Sequence, residues 1–353
     1  AFYRDAKYGE LWVGRRFTLD EAKSRYQIDT LQLNDLEALL SDGKETLTLR
    51  SVEPAVDTKV KKHDREEEFS IFVSEQRLCK DEYEIREMQA AVDATALGFN
   101  DVIHAMPAAV ETPRGERVLD AAFYGRARIL GNDLGYNTIV GAGSHACVLH
   151  WIRNDGDVRR GELVLVDAGV EVESFYTADI TRTLPVDGKF TPAQRALYML
   201  VYESQLAGFA AIKPGVLFSE INKACQAILA KGLADMGVLT VSAEESLKPE
   251  VGLHRRWTLH GVSHHLGLDV HDCAQARKDQ YLDAPLREGM VLTVEPGLYI
   301  QPDDELFAPE YRGIGIRIED DVVVPADGCR NISENIPRHP DEIEKWMKSV
   351  LGR

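Results

Sequence analysis

The stretch WTLHGVSHHLGLDVHD (residues 257–272) places His260, His264, His265 and His271 in one short segment. The chain has 10 histidines, so four of them stand here. Imidazole is both a metal ligand and a proton carrier near neutral pH, and such clustering points to one of those uses. His260 and His264 have the i, i+4 spacing of a helical zinc pair. Gly261 stands where that motif requires Glu, however, and Gly261 and Gly267 disfavour a regular helix, so the HExxH reading fails. Spacing alone leaves His260, His264 and His265 open as ligands.

Four carboxylates elsewhere give the cluster its meaning. Asp167 ends the apolar run LVLVD and Asp179 opens ADITRT. Glu295 lies in LTVEPGLYI, and Glu319 lies in IGIRIED. Taken singly, each Asp reads as a turn or cap residue, and Arg317 with Glu319 as an edge-strand ion pair. Together with a histidine they form an oxygen-rich set embedded in apolar strands. Acids there are costly unless paired or metal-bound, and four of them repel one another. Two divalent ions would neutralise the four charges. This hard donor set with one imidazole suits Mn²⁺ or a similar first-row ion better than structural zinc. Paired ions of this kind point to metal-assisted hydrolysis.

The bulk numbers narrow the class. At 353 residues, one large or two unequal domains are expected. A hydrophobic content of 44% and a charged content of 28% describe a globular protein. No apolar run reaches membrane-spanning length, and no secretory pattern opens the chain. The net charge of −17 argues against nucleic acid or an anionic membrane as partner. Cys79, Cys147, Cys225, Cys273 and Cys329 are scattered without a CxxC pair, which disfavours a cysteine zinc site and favours a reducing, cytoplasmic setting. The chain begins at Ala1 in mid-pattern, and residues before it are expected to be missing.

Residues 1–79 read as a partial α/β unit. TLDEAKSRYQ and LNDLEALLSD are helix-like, with Thr18 and Asn34 as caps, and TLTLR and FSIFVSE alternate as strands. KKHDREEE reads as a solvated connector. From residue 80 the pattern becomes two successive units, each a helix pair followed by antiparallel strands. The first helix opens at Asp81 and the second, following Pro113, closes at Gly135. The strands NTIVGAG, CVLHWI, ELVLVDAGVEV and ADITRTLPV come next. Two more helices follow, the first capped by Thr191 with Pro192 at its start. The histidine region, MVLTVEPGLYI and GIGIRIEDDVVVP complete the second unit. Two similar halves would set their strand ends around one central site.

VDAG, ADITRT, HGVSHHLGLDVHD, TVEPGLYI and GIGIRIEDD, in this order, resemble the pita-bread metallopeptidases, and within them the Xaa-Pro aminopeptidases. YNTIVGAG, CVLHW and KFTPAQR add to the likeness, which covers residues 80–353. Residues 1–79 resemble only the later part of that family's N-terminal domain, through GELWVGRR. The resemblance implies an α+β pita-bread fold with pseudo-two-fold αα-β halves behind a truncated α/β N-terminal domain. It implies two divalent ions, Mn²⁺ first and Co²⁺ or Zn²⁺ as alternatives. Asp167 would bind one ion, Asp179 and Glu319 would bridge both, and His264 and Glu295 would complete the other. A metal-bridged hydroxide would attack the Xaa-Pro carbonyl, with Glu295 taking a proton. His260 and His271 would position substrate and assist proton transfer, and Arg317 would support the carboxylates. His150, Tyr136 and Tyr299 would line the substrate pocket, while His265 receives no role.

The implied substrates are peptides with proline second, and the implied assembly is a homo-oligomer, dimer or tetramer. The interval from Asp167 to Asp179 is one residue longer than usual, and VEVESFY is expected to form a bulge or a longer turn. Xaa-Pro dipeptidase (prolidase) shares the ligands and is the nearest rival. Methionine aminopeptidase shares them too, but length and the N-terminal part argue against it. A non-catalytic binding module on the same fold is the reading from a different class.

Overall fold

The computed structural model describes residues 6–40 and 46–352. They divide into two compact units, residues 1–71 and 72–353. In the first, Leu19–Tyr26 is a helix whose Thr18 side chain accepts from Glu21 N, while Glu21 caps Thr18 N in return. This reciprocal pair satisfies two otherwise free helix donors. The second expected helix is a 3₁₀ turn, Leu33–Asp35, leading into Leu36–Leu40, so Asn34 lies inside the turn rather than capping a helix. The opening AFYRD and the final Ser41 and Asp42 of that expected helix lie outside the described residues.

Both strand expectations in this region are corrected. TLTLR has no strand geometry. FSIFVSE lies within the helix Glu66–Gln76, which begins with Glu66, Glu67 and Glu68. Acids in a first turn complement the positive end of the helix, and this outweighs a short alternation. Among the described residues of the first unit, every regular element is helical.

The larger unit shows the expected repeat. Helix α1 (Glu82–Glu111) starts at Asp81, which forms a capping box with Glu84. Its Met88, Val92, Phe99, Val102, Ile103 and Met106 are buried at helical spacing. Helix α2 (Gly115–Leu130) packs on it with Leu119 and Phe123. A Cβ at Gly98 would stand 2.5 Å from the Phe123 ring, so the close approach requires glycine. The helix ends at Gly131, four residues before the expected Gly135.

Strands β1 (Ile139–Ala142), β2 (Leu163–Ala168) and β3 (Ile180–Pro185) form an antiparallel sheet in the order β1-β2-β3. The second half repeats the plan. Helix α3 (Pro192–Ala211) carries the Thr191–Gln194 capping box with Pro192 at its first position, and helix α4 (Ser219–Asp235) follows. Strand β4 (Val291–Val294) pairs with β7 (Asp320–Val323), and β5 (Gly297–Tyr299) pairs with β6 (Gly315–Arg317). The closing helix α5 (Pro340–Val350) buries Ile343 and Met347.

Two further strand expectations fail. CVLHWI is a 3₁₀ turn and loop. Its Cys147 faces inward while Val148 and Ile152 are exposed, and the Cys147 thiol donates to Ile300 O. The histidine region has no strand of its own. It lies along β4 through bonds from Leu266 N to Val291 O, Thr293 N to His264 O and Glu295 N to Val262 O. The segment between Asp167 and Asp179 forms a turn in which Phe175 N donates to Val172 O and Val172 N to Tyr176 O. Phe175 adopts a φ of 69° there.

The halves join where β3 meets the run 317–321. Glu319 N donates to Thr181 O at 3.1 Å, and Arg317 N donates to Thr183 Oγ1 at 3.2 Å. Arg182, 0% exposed, fastens this seam. Its guanidinium donates to Asp320 Oδ1 and to the carbonyls of Thr181, Glu319, Ile336 and Pro337. Replacing Arg182 by Met would leave buried Asp320 with only the more distant Arg338, 3.7 Å away, as a cation. Urea melts of the variant should show a loss of about 3–5 kcal/mol; a loss below about 1 kcal/mol would remove Arg182 from this role.

Candidate active site

Strand periodicity aims the site residues. In β3 and the residue before it, Asp179, Thr181 and Thr183 share one face. Asp167 stands at the end of β2, opposite Thr181 in register. Arg317 and Glu319 alternate with buried Ile316 and Ile318. Glu295 directly follows β4, and the loop laid along β4 brings His264 beside it.

These residues surround one cavity of about 630 Å³. Tyr136, His150, Asp167, Asp179, His260, His264, His271, Glu295, Arg317 and Glu319 all line it. Tyr299 does not reach its surface. It is buried behind His260, with its hydroxyl 2.8 Å from His260 Nε2 and accepting from Arg317 Nη1 at 3.1 Å. The structure thus brings together ten of the eleven expected residues at the cavity wall and sets the eleventh against two of them.

A compact hydrogen-bond network holds the carboxylates. The Tyr136 hydroxyl reaches Asp167 Oδ1 at 2.6 Å and Asp179 Oδ1 at 2.5 Å. Arg317 Nη2 donates to Asp167 Oδ2, and its Nε reaches Thr181 Oγ1 at 3.1 Å. Thr181 donates onward to Glu319 Oε2 at 2.7 Å. His264 Nε2 lies 3.4 Å from Asp179 Oδ2 and 3.5 Å from Glu295 Oε1. His260 Nδ1 lies 3.5 Å from Glu295 Oε2. His271 meets the His264 ring edge-on, with centroids 4.5 Å apart.

Electrostatics show the strain of this crowding. Burial pushes Asp167 up, against the pull of Arg317, and Asp179 adds repulsion. Burial raises Glu295 to about 7, opposed by His264 and Arg317. Glu319 is driven well above the carboxylate range by burial, then by Asp179, Glu295 and Asp167. Burial lowers His260 to about 4, with Arg317 contributing. Burial also works against charge on His264, but Asp179 and Glu295 prevail and raise it to about 9. Burial lowers His271 as well.

The donor set fits divalent cations. Ligand atoms of Asp179, His264 and Glu319 lie within 4.8 Å of one another, with Asp167 and Glu295 on the same cavity. Four carboxylates face one guanidinium and one imidazole, leaving negative charge that cations would neutralise.

Sequence reasoning missed Thr181, the shared contact of Arg317 and Glu319. Its signal was the alternation of ADITRT, which sets Thr181 on the face of Asp179. Tyr281 was also missed. It lines the cavity and accepts from His265 N at 2.9 Å; no motif marked it. His265 is fully buried, its ring stacked on Phe218, so it lies apart from the chemistry.

Comparison with known proteins finds relatives over nearly the whole chain. Residues 86–326 match metallopeptidase family M24. The chain is 49% identical to Xaa-Pro aminopeptidase 1 of Streptomyces coelicolor over 356 residues, covering 99% of this chain and 71% of that protein. It also resembles the structure of aminopeptidase P from E. coli with the inhibitor Pro-Leu, at a TM-score of 0.84 and 34% identity. That match covers 98% of this chain and 81% of the other. A zinc-substituted E. coli aminopeptidase P in complex with product matches at a TM-score of 0.84 and 35% identity, over 97% and 80% of the two chains.

Thr181→Val keeps the side-chain shape and removes the hydroxyl shared by Arg317 and Glu319. Calorimetric titration with Mn²⁺ should show affinity weakened by about 10- to 100-fold. Wild-type affinity in a folded variant would show that Thr181 does not orient Glu319.

Proposed function

This chain belongs to metallopeptidase family M24, and we infer that it removes the N-terminal residue from peptides with proline second, using two divalent ions. The carrying observation is the convergence of Asp167, Asp179, Glu295 and Glu319, two from each half of the fold, with His264 on one cavity. Asp167 would hold one ion, Asp179 and Glu319 both, and His264 with Glu295 the other. Mn²⁺ suits the oxygen-rich donors best, with Co²⁺ or Zn²⁺ as substitutes. Bound there, the ions would polarise the scissile carbonyl and activate water.

The chain's own residues supply the remaining chemistry. Glu295, facing His260 and His264, accepts a proton from the attacking water. His260, its ring nitrogens bonded to the Tyr299 hydroxyl and to Gly261 O, stands fixed beside Glu295 and positions the substrate as part of the cavity wall. His271 and His150 contribute the facing wall. Arg317 pulls against the burial that raises Asp167 and orients Glu319 through Thr181. An Xaa-Pro bond carries no amide hydrogen, and proline fixes its own φ. A cavity that recognises the ring and the carbonyl therefore suits this bond better than a groove reading backbone N–H groups.

No helix among the described residues is long and apolar enough to cross a membrane. All five cysteines are unpaired, which supports the cytoplasmic setting proposed here. We assign residues 1–79 to a partial N-terminal domain and 80–353 to the catalytic domain, with assembly as a homo-oligomer, dimer or tetramer.

Hydrolysis of an Xaa-Pro-Yaa series should require added Mn²⁺ and stop on chelation. Cleavage confined to Xaa-Pro dipeptides would replace the aminopeptidase reading with a dipeptidase. Glu319→Gln should lower kcat/KM on the order of 10³-fold; turnover near that of the wild type would refute the two-ion assignment.

A further inference from the structure

The loop 143–156 brings Leu149, His150 and Ile152 to the cavity, yet it contains no strand and its tip is open to solvent. Val148 is 47% and Ile152 52% exposed. Apolar packing of Ala146, Cys147, Leu149 and Trp151 against Ile139, Leu165 and Tyr299 holds one side of the loop, and a buried acid ties the other. Beneath it stands Glu116, in the first turn of α2, with 0% exposure. One carboxylate oxygen accepts from Ala142 N at 2.8 Å and lies 2.8 Å from His145 Nδ1. The other accepts from Trp151 Nε1 at 2.8 Å and from Gly156 N at 2.6 Å. The His145 and Trp151 rings stack above it at 3.9 Å. Gly156 has no room for a Cβ, which would meet His145 at 2.5 Å and Glu116 Oε1 at 2.8 Å.

Three partners from the start, middle and end of the loop, with Ala142 at the end of β1, thus converge on a single buried carboxylate. A buried anion is tolerable only when such bonds satisfy it, so its position and the loop's are fixed together. Trp151 is the link that matters, because it directly adjoins both His150 and Ile152. Glu116 itself does not line the cavity.

We propose that Glu116 is a positioning residue for substrate binding, acting through Trp151 to hold His150 and Ile152 in the cavity wall. This rests on the peptide-binding role given above to His150. None of the five proposed metal ligands lies in the loop, so loss of Glu116 acts on binding of the peptide and leaves the metal centre in place.

The test is Glu116→Gln. Its amide group presents N–H donors to a pair of N–H groups where an acceptor is required. KM for an Xaa-Pro-Yaa peptide should rise about 10-fold with kcat within about threefold, the signature of lost binding common to ground and transition states. Mn²⁺ affinity should be unchanged, and amide exchange in residues 143–156 should accelerate at least tenfold. Trp151→Phe, which keeps an aromatic ring for stacking but loses the N–H, should raise KM in the same direction by a smaller factor. In a double-mutant cycle, His150→Ala added to Glu116→Gln should cost less than in the wild type.

Unchanged KM in both single variants would overturn the proposal, as would a parallel loss of kcat and bound Mn²⁺. A wild-type protein inactive on every Xaa-Pro-Yaa peptide would instead overturn the functional reading. Amide exchange would still report on the Glu116 anchor in that case.

Discussion

Mutual repulsion among four carboxylates on one cavity is the constraint on which the rest of this structure depends. Asp167 and Asp179 come from the first half, and Glu295 and Glu319 from the second. No local interaction would bring them together; the fold forces them into proximity by joining β3 to the run 317–321. Tyr136, Arg317 and Thr181 satisfy several of the oxygens, yet three of the four acids are still pushed toward their neutral forms. A site that resists its own ionisation has an open requirement for positive charge, which divalent cations would meet.

That requirement explains how the surroundings are built. Arg182 and Asp320 form an ion pair hidden from solvent immediately behind the acids. Gln205 donates to Asp320 Oδ2 and to the carbonyls of Val294 and Ile318, tying β4 to β7. These buried polar groups add less to stability than apolar packing of equal volume could. What they do is hold the strand ends at one spacing, so the carboxylates cannot relax apart. The aromatic and imidazole groups form the other wall, where burial lowers the pKa of His260 and the acids raise that of His264.

Most of the site was legible because strand periodicity and apolar context mark an acid that has no ordinary reason to be where it is. LVLVD, ADITRT, VEPG and IRIED each carry that contradiction. The helix caps at Asp81 and Thr191 were equally readable, because each depends on its own side chain and the turn that follows it. What stayed hidden depended on distant contacts. CVLHWI alternates like a strand but closes a loop over Glu116, and FSIFVSE alternates within a helix whose start is fixed by upstream acids. Thr181 and Tyr299 act through partners remote in sequence. Glu116 looked like any acid in a first helical turn, and only the folded chain shows four donors aimed at it.

The most direct test of the central claim is equilibrium binding of Mn²⁺ to the metal-stripped protein, with the melting temperature followed in parallel. Two ions per chain are expected, and the melting temperature should rise with free Mn²⁺ as the folded state alone binds them. No bound Mn²⁺, Co²⁺ or Zn²⁺ and an unchanged melting temperature would contradict a site shaped by its need for cations.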